Sequence, residues 1–241
     1  MGSRLPSVSA RMHERFIVNL RVPPQVLRDR LPACVTPQVV NGYAVVSFCM
    51  LDLRGVTLAP LPPIVGPRSI SCAQRYAILA ESGEPAVFVP ERQTNFAVGA
   101  RLSALGFAAP HRLVDIAIER ESPATELRVQ DGNDIMFEAA LRPSGEFSSA
   151  VFATLDDFAA FMAAGVRSYG RSRHEGRLTV LDLHKDDGSY EPLFIEWIGG
   201  TFVDDCLAVG AQVDSALRTT DAHYVWKYHG LIADAVGSTR S

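Results

Sequence analysis

Glu91 and Arg92 stand side by side directly after a short apolar run, Ala86-Val87-Phe88-Val89, which Pro90 stops. Gln93 and Thr94 follow, so four polar residues separate that run from a segment of helical character, Asn95 to Leu105, ended by Gly106. A carboxylate next to a guanidinium offers a proton acceptor and an anion clamp at one place. A buried strand that delivers both to the start of a helix can hold them in a cleft. The same residues also suit a surface turn with solvated charges.

The elements around this stretch read mostly as strands. His13 to Val22 sets Phe16, Val18, Leu20 and Val22 against Arg15, Ile17, Asn19 and Arg21, a period of two. Pro23-Pro24 open a short helix, Gln25 to Leu31, which Pro32 closes. Gly42 to Arg54 is too rich in β-branched and aromatic residues for a helix. Thr57 to Pro67 is a proline-rich loop. In the next strand, Arg68 to Leu79, Gln74 falls on the same face as Ile70, Cys72, Tyr76 and Ile78. The turn Ser82-Gly83-Glu84-Pro85 pairs this strand antiparallel with Ala86–Val89. Arg112–Arg120, Thr125–Gln130 and Asp134–Leu141 form a meander, and Leu155–Ala164 is a helix with Thr154 as N-cap. Arg177–His184, Glu191–Ile198 and His223–Tyr228 are further strands, and Asp204-Asp205 reads as a turn.

The expected fold is mainly β (α+β): a single antiparallel β-barrel or cone of roughly ten strands around a central pocket, with two or three short helices. One domain spans residues 13–235, between loose ends at 1–12 and 236–241.

Composition narrows the function. Net charge is −4 with no basic run, which argues against nucleic acid as a partner. No stretch has the length and hydropathy of a membrane span, and no signal region opens the chain, so the expectation is a cytoplasmic protein without a membrane partner. The four cysteines have no zinc-type spacing and read as reduced core thiols. The six histidines do not assemble a metal-binding pattern, so neither metal nor cofactor is expected. No nucleophile elbow, phosphate loop or dinucleotide fingerprint is present. A small molecule is the expected partner, and self-association into a homo-oligomer stays open.

Five segments, in order, carry a resemblance: FIVNLRVPPQVLRDRLP, NGYAVVSFCMLDLR, AVFVPERQTN, FSSAVFATLDDFAAFMAAGVRSYG and AQVDSALRTTDAHYVWKYHG. Together they resemble the YqjF-like family of uncharacterised bacterial proteins, which is similar to acetoacetate decarboxylase and its superfamily. The resemblance implies a β-cone with a central pocket. It also implies that Glu91 and Arg92 stand where the decarboxylase keeps its reactive lysine pair, after a proline at the end of the pocket strand. Arg21 then matches a substrate-binding arginine. A glutamate that the decarboxylase uses on the neighbouring strand has no counterpart between Arg68 and Leu79.

Glu91 cannot form an imine, and the only lysines, Lys185 and Lys227, lie elsewhere in the sequence. What remains is acid–base chemistry of a lyase, dehydratase or cyclase type on a keto acid or polyketide-like carbonyl compound. Glu91 would be the base, Arg92 or Arg21 the carboxylate clamp, His111 a proton donor and Gln74 a hydrogen-bonding partner. A structural ion pair of Glu91 with Arg21 or Arg92 is the competing reading, as is a non-catalytic protein that binds an acidic apolar ligand. An unrelated lipocalin-like barrel is a third.

Overall fold

The computed structural model describes residues 7–58, 61, 66–104, 110–186 and 188–234. Much of the proline-rich loop, the end of the helix at 105–106 and both chain ends lie outside the described residues.

The first half of the chain runs β1 (Ser7–Val22), α1 (Pro24–Arg28), β2 (Thr36–Pro37), β3 (Val39–Val40), β4 (Tyr43–Leu58), β5 (Ser69–Leu79), β6 (Pro85–Val89), β7 (Arg92–Thr94) and α2 (Ala97–Ala104). The second half runs β8 (Arg112–Leu113), β9 (Asp115–Glu121), β10 (Ala124–Asp131), β11 (Asp134–Pro143), α3 (Leu155–Ala164), β12 (Arg167–Arg171), β13 (Arg177–Lys185), β14 (Glu191–Gly199), α4 (Thr201–Leu207) and β15 (Gln212–Ala233). β1 begins six residues before the alternation from His13 suggests. Asp204 and Asp205 belong to α4 rather than a turn, because Phe202, Val203 and Cys206 bury one side of that segment.

β15 organises the sheet. One edge pairs with β1 from Ser7↔Lys227 to Arg21↔Gln212. The other edge is divided between β14, around Ala216–Arg218, and β13, from Tyr224 to Ala233. The sheet therefore forks. One arm, β1-β4-β5-β6-β12-β13-β15, closes into a seven-stranded barrel through the β1–β15 pairing. The other arm, β14-β11-β10-β9, folds against the barrel's outer side.

Alternation then gives each barrel strand an inner and an outer face. Phe16, Val18, Phe48, Met50 and Tyr76 point outward and make one large core with Leu127, Val129 and Phe137 of the second arm. Phe48 stacks on Phe137 with centroids 4.0 Å apart. On the β12–β13–β15 wall the outer face carries the Arg167–Asp182 ion pair and the exposed Lys227. The opposite residues, Arg15, Ile17, Cys49, Ala77 and Leu217, therefore look into the barrel.

α3 covers that inner face at one end, packing Phe158 and Met162 against Ile17, Val45, Cys49, Ala77 and Leu217. Its start is fixed by a capping box: Thr154 Oγ1 accepts from the Asp157 amide at 3.1 Å, and Asp157 Oδ2 accepts from the Thr154 amide at 3.0 Å. Such a cap contributes about 1 kcal/mol.

Candidate functional site

Pro90 interrupts the strand only briefly, and the chain rejoins the sheet at Arg92, where β7 pairs with β5 through Ala73↔Arg92 and Cys72↔Gln93. Since Ala73 faces inward, so does Arg92, while Glu91 turns the other way. Arg92 Nη2 donates to Ser168 Oγ at 3.2 Å, and its other terminal nitrogen lies against Gly170. Burial pushes the Arg92 pKa down to about 10, with the nearby charge of Arg75 adding to the effect. No ion pair among the described residues includes Arg92.

Glu91 accepts from Arg112 Nη1 at 3.4 Å, and Arg112 also pairs with Asp131. The three expected catalytic residues all line one cleft, with Arg92 and Glu91 projecting to opposite sides of the strand. A cleft of about 260 Å³ is lined by Pro90, Glu91, Arg92, His111, Arg112 and Arg171, among others. It is rich in arginine and suited to a small anion.

Arg21 and Gln74 do not line it. Arg21 lies on the inner side of β1, where it pairs with the buried Asp214 at 3.5 Å and bonds to Gln212. Asp214 in turn accepts from the Ala150 amide at 2.8 Å. Arg21 thus ties β15 and the segment before α3 together, and its charge is already compensated. Gln74 faces with the apolar set, as alternation dictates, but that set is the barrel's outer face; its partner is the Tyr76 hydroxyl at 3.5 Å. Lys185 Nζ bonds to the Tyr190 hydroxyl at 3.2 Å, and Lys227 is exposed on the outer face.

Behind Arg92, the inner wall carries charged groups that the sequence pattern did not single out. Arg15, only 2% exposed, donates to Cys49 Sγ at 3.3 Å and to the Tyr224 hydroxyl at 3.3 Å. Arg75 donates to the same sulfur at 3.7 Å. Burial acts to raise the Cys49 pKa, yet the two guanidiniums outweigh it and the thiol is held below its ordinary value. Burial likewise acts to lower the Arg15 pKa, but Cys49 and Tyr224 outweigh it and the value is raised. Both directions favour the charged forms of the two partners. Cys72, buried on the outer face, shows the opposite case: burial pushes its thiol up, and Glu91 adds to that. Arg15 and Arg75 belong to the polar half of each alternation, which reads as solvent-facing in an open sheet; only closure turns it into a lumen.

Against known proteins, no curated sequence matches the chain. Among solved structures, acetoacetate decarboxylase from Legionella pneumophila superposes with a TM-score of 0.66 at 12% identity, over 97% of this chain and 90% of that one. An acetoacetate decarboxylase-like enzyme from Sphingomonas wittichii RW1 gives 0.61 at 14% identity, over 96% and 94%. The enduracididine biosynthesis enzyme MppR, complexed with pyruvate, gives 0.60 at 16% identity, over 98% and 92%. These likenesses establish a shared acetoacetate decarboxylase-like fold. Residues 9–189 match the family DUF2071, described as "Uncharacterized conserved protein (COG2071)", and the chain belongs to that family.

Proposed function

We propose that the chain is an enzyme that acts on a small keto acid or polyketide-like carbonyl compound in the Glu91–Arg92–His111 cleft, by acid–base chemistry and without a Schiff base. The observation that carries this reading is Arg92, a guanidinium set into the barrel wall at the cleft with no carboxylate partner among the described residues. A buried cation without a counter-charge is costly, and a substrate carboxylate would supply one. That MppR, which shares the fold, is complexed with pyruvate supports a keto acid as the class.

With the carboxylate on Arg92, Glu91 takes a proton from the carbon beside the carbonyl. The C–H electron pair moves into the carbonyl, and the resulting enolate oxygen is stabilised by the cleft's arginines. His111 returns a proton to the product or to a departing hydroxyl. Neither lysine lines the cleft, which favours this route over an imine.

The test is proton–deuterium exchange of a panel of 2- and 3-keto acids in D2O, followed by NMR. Wild type should exchange the position beside the carbonyl, Glu91→Gln should bind without exchanging, and Arg92→Met should fail to bind. Exchange that survives Glu91→Gln removes Glu91 as the base. The Arg112–Glu91 pair supports a second reading, a non-catalytic binder of an acidic ligand. Saturable binding with no exchange by any keto acid would select it.

A further inference from the structure

Three guanidiniums line the inner wall of the barrel: Arg15 on β1, Arg75 on β5 and Arg92 on β7. None of the ion pairs among the described residues includes them; Glu14 is committed to Arg120 and Arg218, Asp52 to Arg68 and Glu91 to Arg112. Cys49 Sγ accepts from both Arg15 and Arg75, at 3.3 and 3.7 Å, but is not a carboxylate counter-charge. The layer therefore carries positive charge without a carboxylate partner among the described residues, with Arg15 fully buried and Arg75 and Arg92 partly so.

Two buried groups in the same layer are also incomplete. Arg15 Nε and Thr219 Oγ1 have no hydrogen-bond partner, although Arg15 is 2% and Thr219 4% exposed. Thr219 stands directly opposite Arg15 in the β1–β15 ladder, on the same face. A guanidinium N–H only donates, so the group that completes Arg15 must be an acceptor. The ladder row Cys49↔Ala73↔Arg92 places Arg92 two strands from the sulfur, with Arg75 beside Ala73.

We propose that this layer is an inner anion subsite, in which the carboxylate of a small organic acid seats between Arg75 and Arg92 with Arg15 Nε–H and the Thr219 hydroxyl turned to the same space. It rests on the function proposed above only for the route of entry, which is the Arg92 cleft. Arg75 is then the second carboxylate anchor, and short, unhindered carboxylates are the ligand class. Arg15 and Arg75 favour ionisation of Cys49 against the effect of burial, so a carboxylate that shares those arginines opposes that ionisation. The charged groups facing Cys49 are Arg15 from β1 and Arg75 from β5, while α3 meets it with Phe158 and Met162.

The experiment titrates acetate and pyruvate into the full chain by calorimetry and follows Cys49 through ultraviolet thiolate absorbance, with Cys49→Ser as the blank. Both acids should bind, and Arg75→Met and Arg92→Met should each weaken them at least about tenfold, with Arg75→Lys in between. Saturating acetate should move the Cys49 titration upward by about one pH unit, a tenfold change in proton affinity. Binding that ignores Arg75→Met, or a Cys49 titration indifferent to saturating acetate, overturns the proposal. Failure of either acid to bind overturns it too. Where the Arg75 variants do not fold, the wild-type Cys49 titration with and without acetate decides alone. Arg75-dependent acetate binding without exchange of any keto acid would retain the subsite and remove the enzymatic reading. Exchange unaffected by Arg75→Met would do the reverse.

Discussion

The guanidinium of Arg92 lies across Gly170 so closely that a methyl group at 170 would overlap its terminal nitrogen. That methyl would also stand 3.0 Å from Thr179 Oγ1 and 3.1 Å from the Val89 carbonyl oxygen, so it could not escape sideways. Glycine at 170 is what allows an arginine to cross from β7 to β12 inside the wall. Gly170→Ala should therefore displace Arg92 while leaving the barrel closed. We expect a loss of about 1–3 kcal/mol, the usual range for overpacking, together with at least a tenfold loss of keto-acid affinity. Thermal unfolding and calorimetric binding measure the two effects. Unchanged affinity would mean that Arg92 is not an anchor.

Cys49 should make stability depend on pH in a defined direction. Its folded pKa is depressed by Arg15 and Arg75 against the effect of burial, so the folded state binds the proton less tightly than the unfolded chain does. The stabilisation is fully present above the ordinary thiol range, about 8.5, and is lost as pH falls through the depressed folded value. The melting temperature of wild type relative to Cys49→Ser should thus rise from mildly acid toward alkaline pH. Parallel pH curves for the two proteins would mean that the sulfur is a neutral thiol.

Much of this scaffold is written locally. The turn Ser82-Gly83-Glu84-Pro85 specifies the β5–β6 hairpin, and Thr154 with Asp157 specifies the start of α3. Period-two alternation separates Arg15 from Phe16 and Arg75 from Tyr76, but it cannot say which face becomes a lumen. That depends on pairing between β1 and β15, some two hundred residues apart, for which no short-range signal exists. The same gap explains why Gln74, on the apolar face, reads as facing the pocket but lies on the barrel's outer face, while Arg75, on the polar face, reads as solvated and lies on the inner one. It also explains why only the His223–Tyr228 part of β15 stands out. Upstream, Ser215 and Thr219 are inner-face polar residues that break the apolar pattern expected of a buried strand.

Arg112 should control how available Glu91 is. It holds Glu91 at 3.4 Å while also paired with Asp131, and it is half exposed, so the pair contributes at most about 1 kcal/mol to stability. Arg112→Gln should leave the melting temperature within about 4 °C of wild type, by the usual scale of about 4 °C or less per kcal/mol for a chain of this size. If Glu91 is the base, releasing it should change the rate of keto-acid exchange, whereas a purely ion-paired Glu91 predicts no exchange in either protein. Exchange rates and melting curves recorded on the same samples separate these outcomes.

Arg21 gives the sharpest contrast between position and role. It shares the inner side of β1 with Arg15, yet six residues of strand, roughly 20 Å, separate the two. Its partner Asp214 has a side chain 1% exposed and also holds the Ala150 amide. Removing the cation leaves a buried carboxylate short of its counter-charge, a change that typically costs about 3–5 kcal/mol. Arg21→Met should accordingly lower the melting temperature strongly and leave the affinity of the folded fraction for acetate or pyruvate unchanged. Arg92→Met should do the opposite, with little change in melting temperature, because deleting a desolvated cation that lacks a carboxylate partner relieves a cost rather than creating one. If Arg21→Met instead abolished ligand binding in a fully folded protein, Arg21 would have to be restored as a substrate clamp and the Arg75–Arg92 layer demoted.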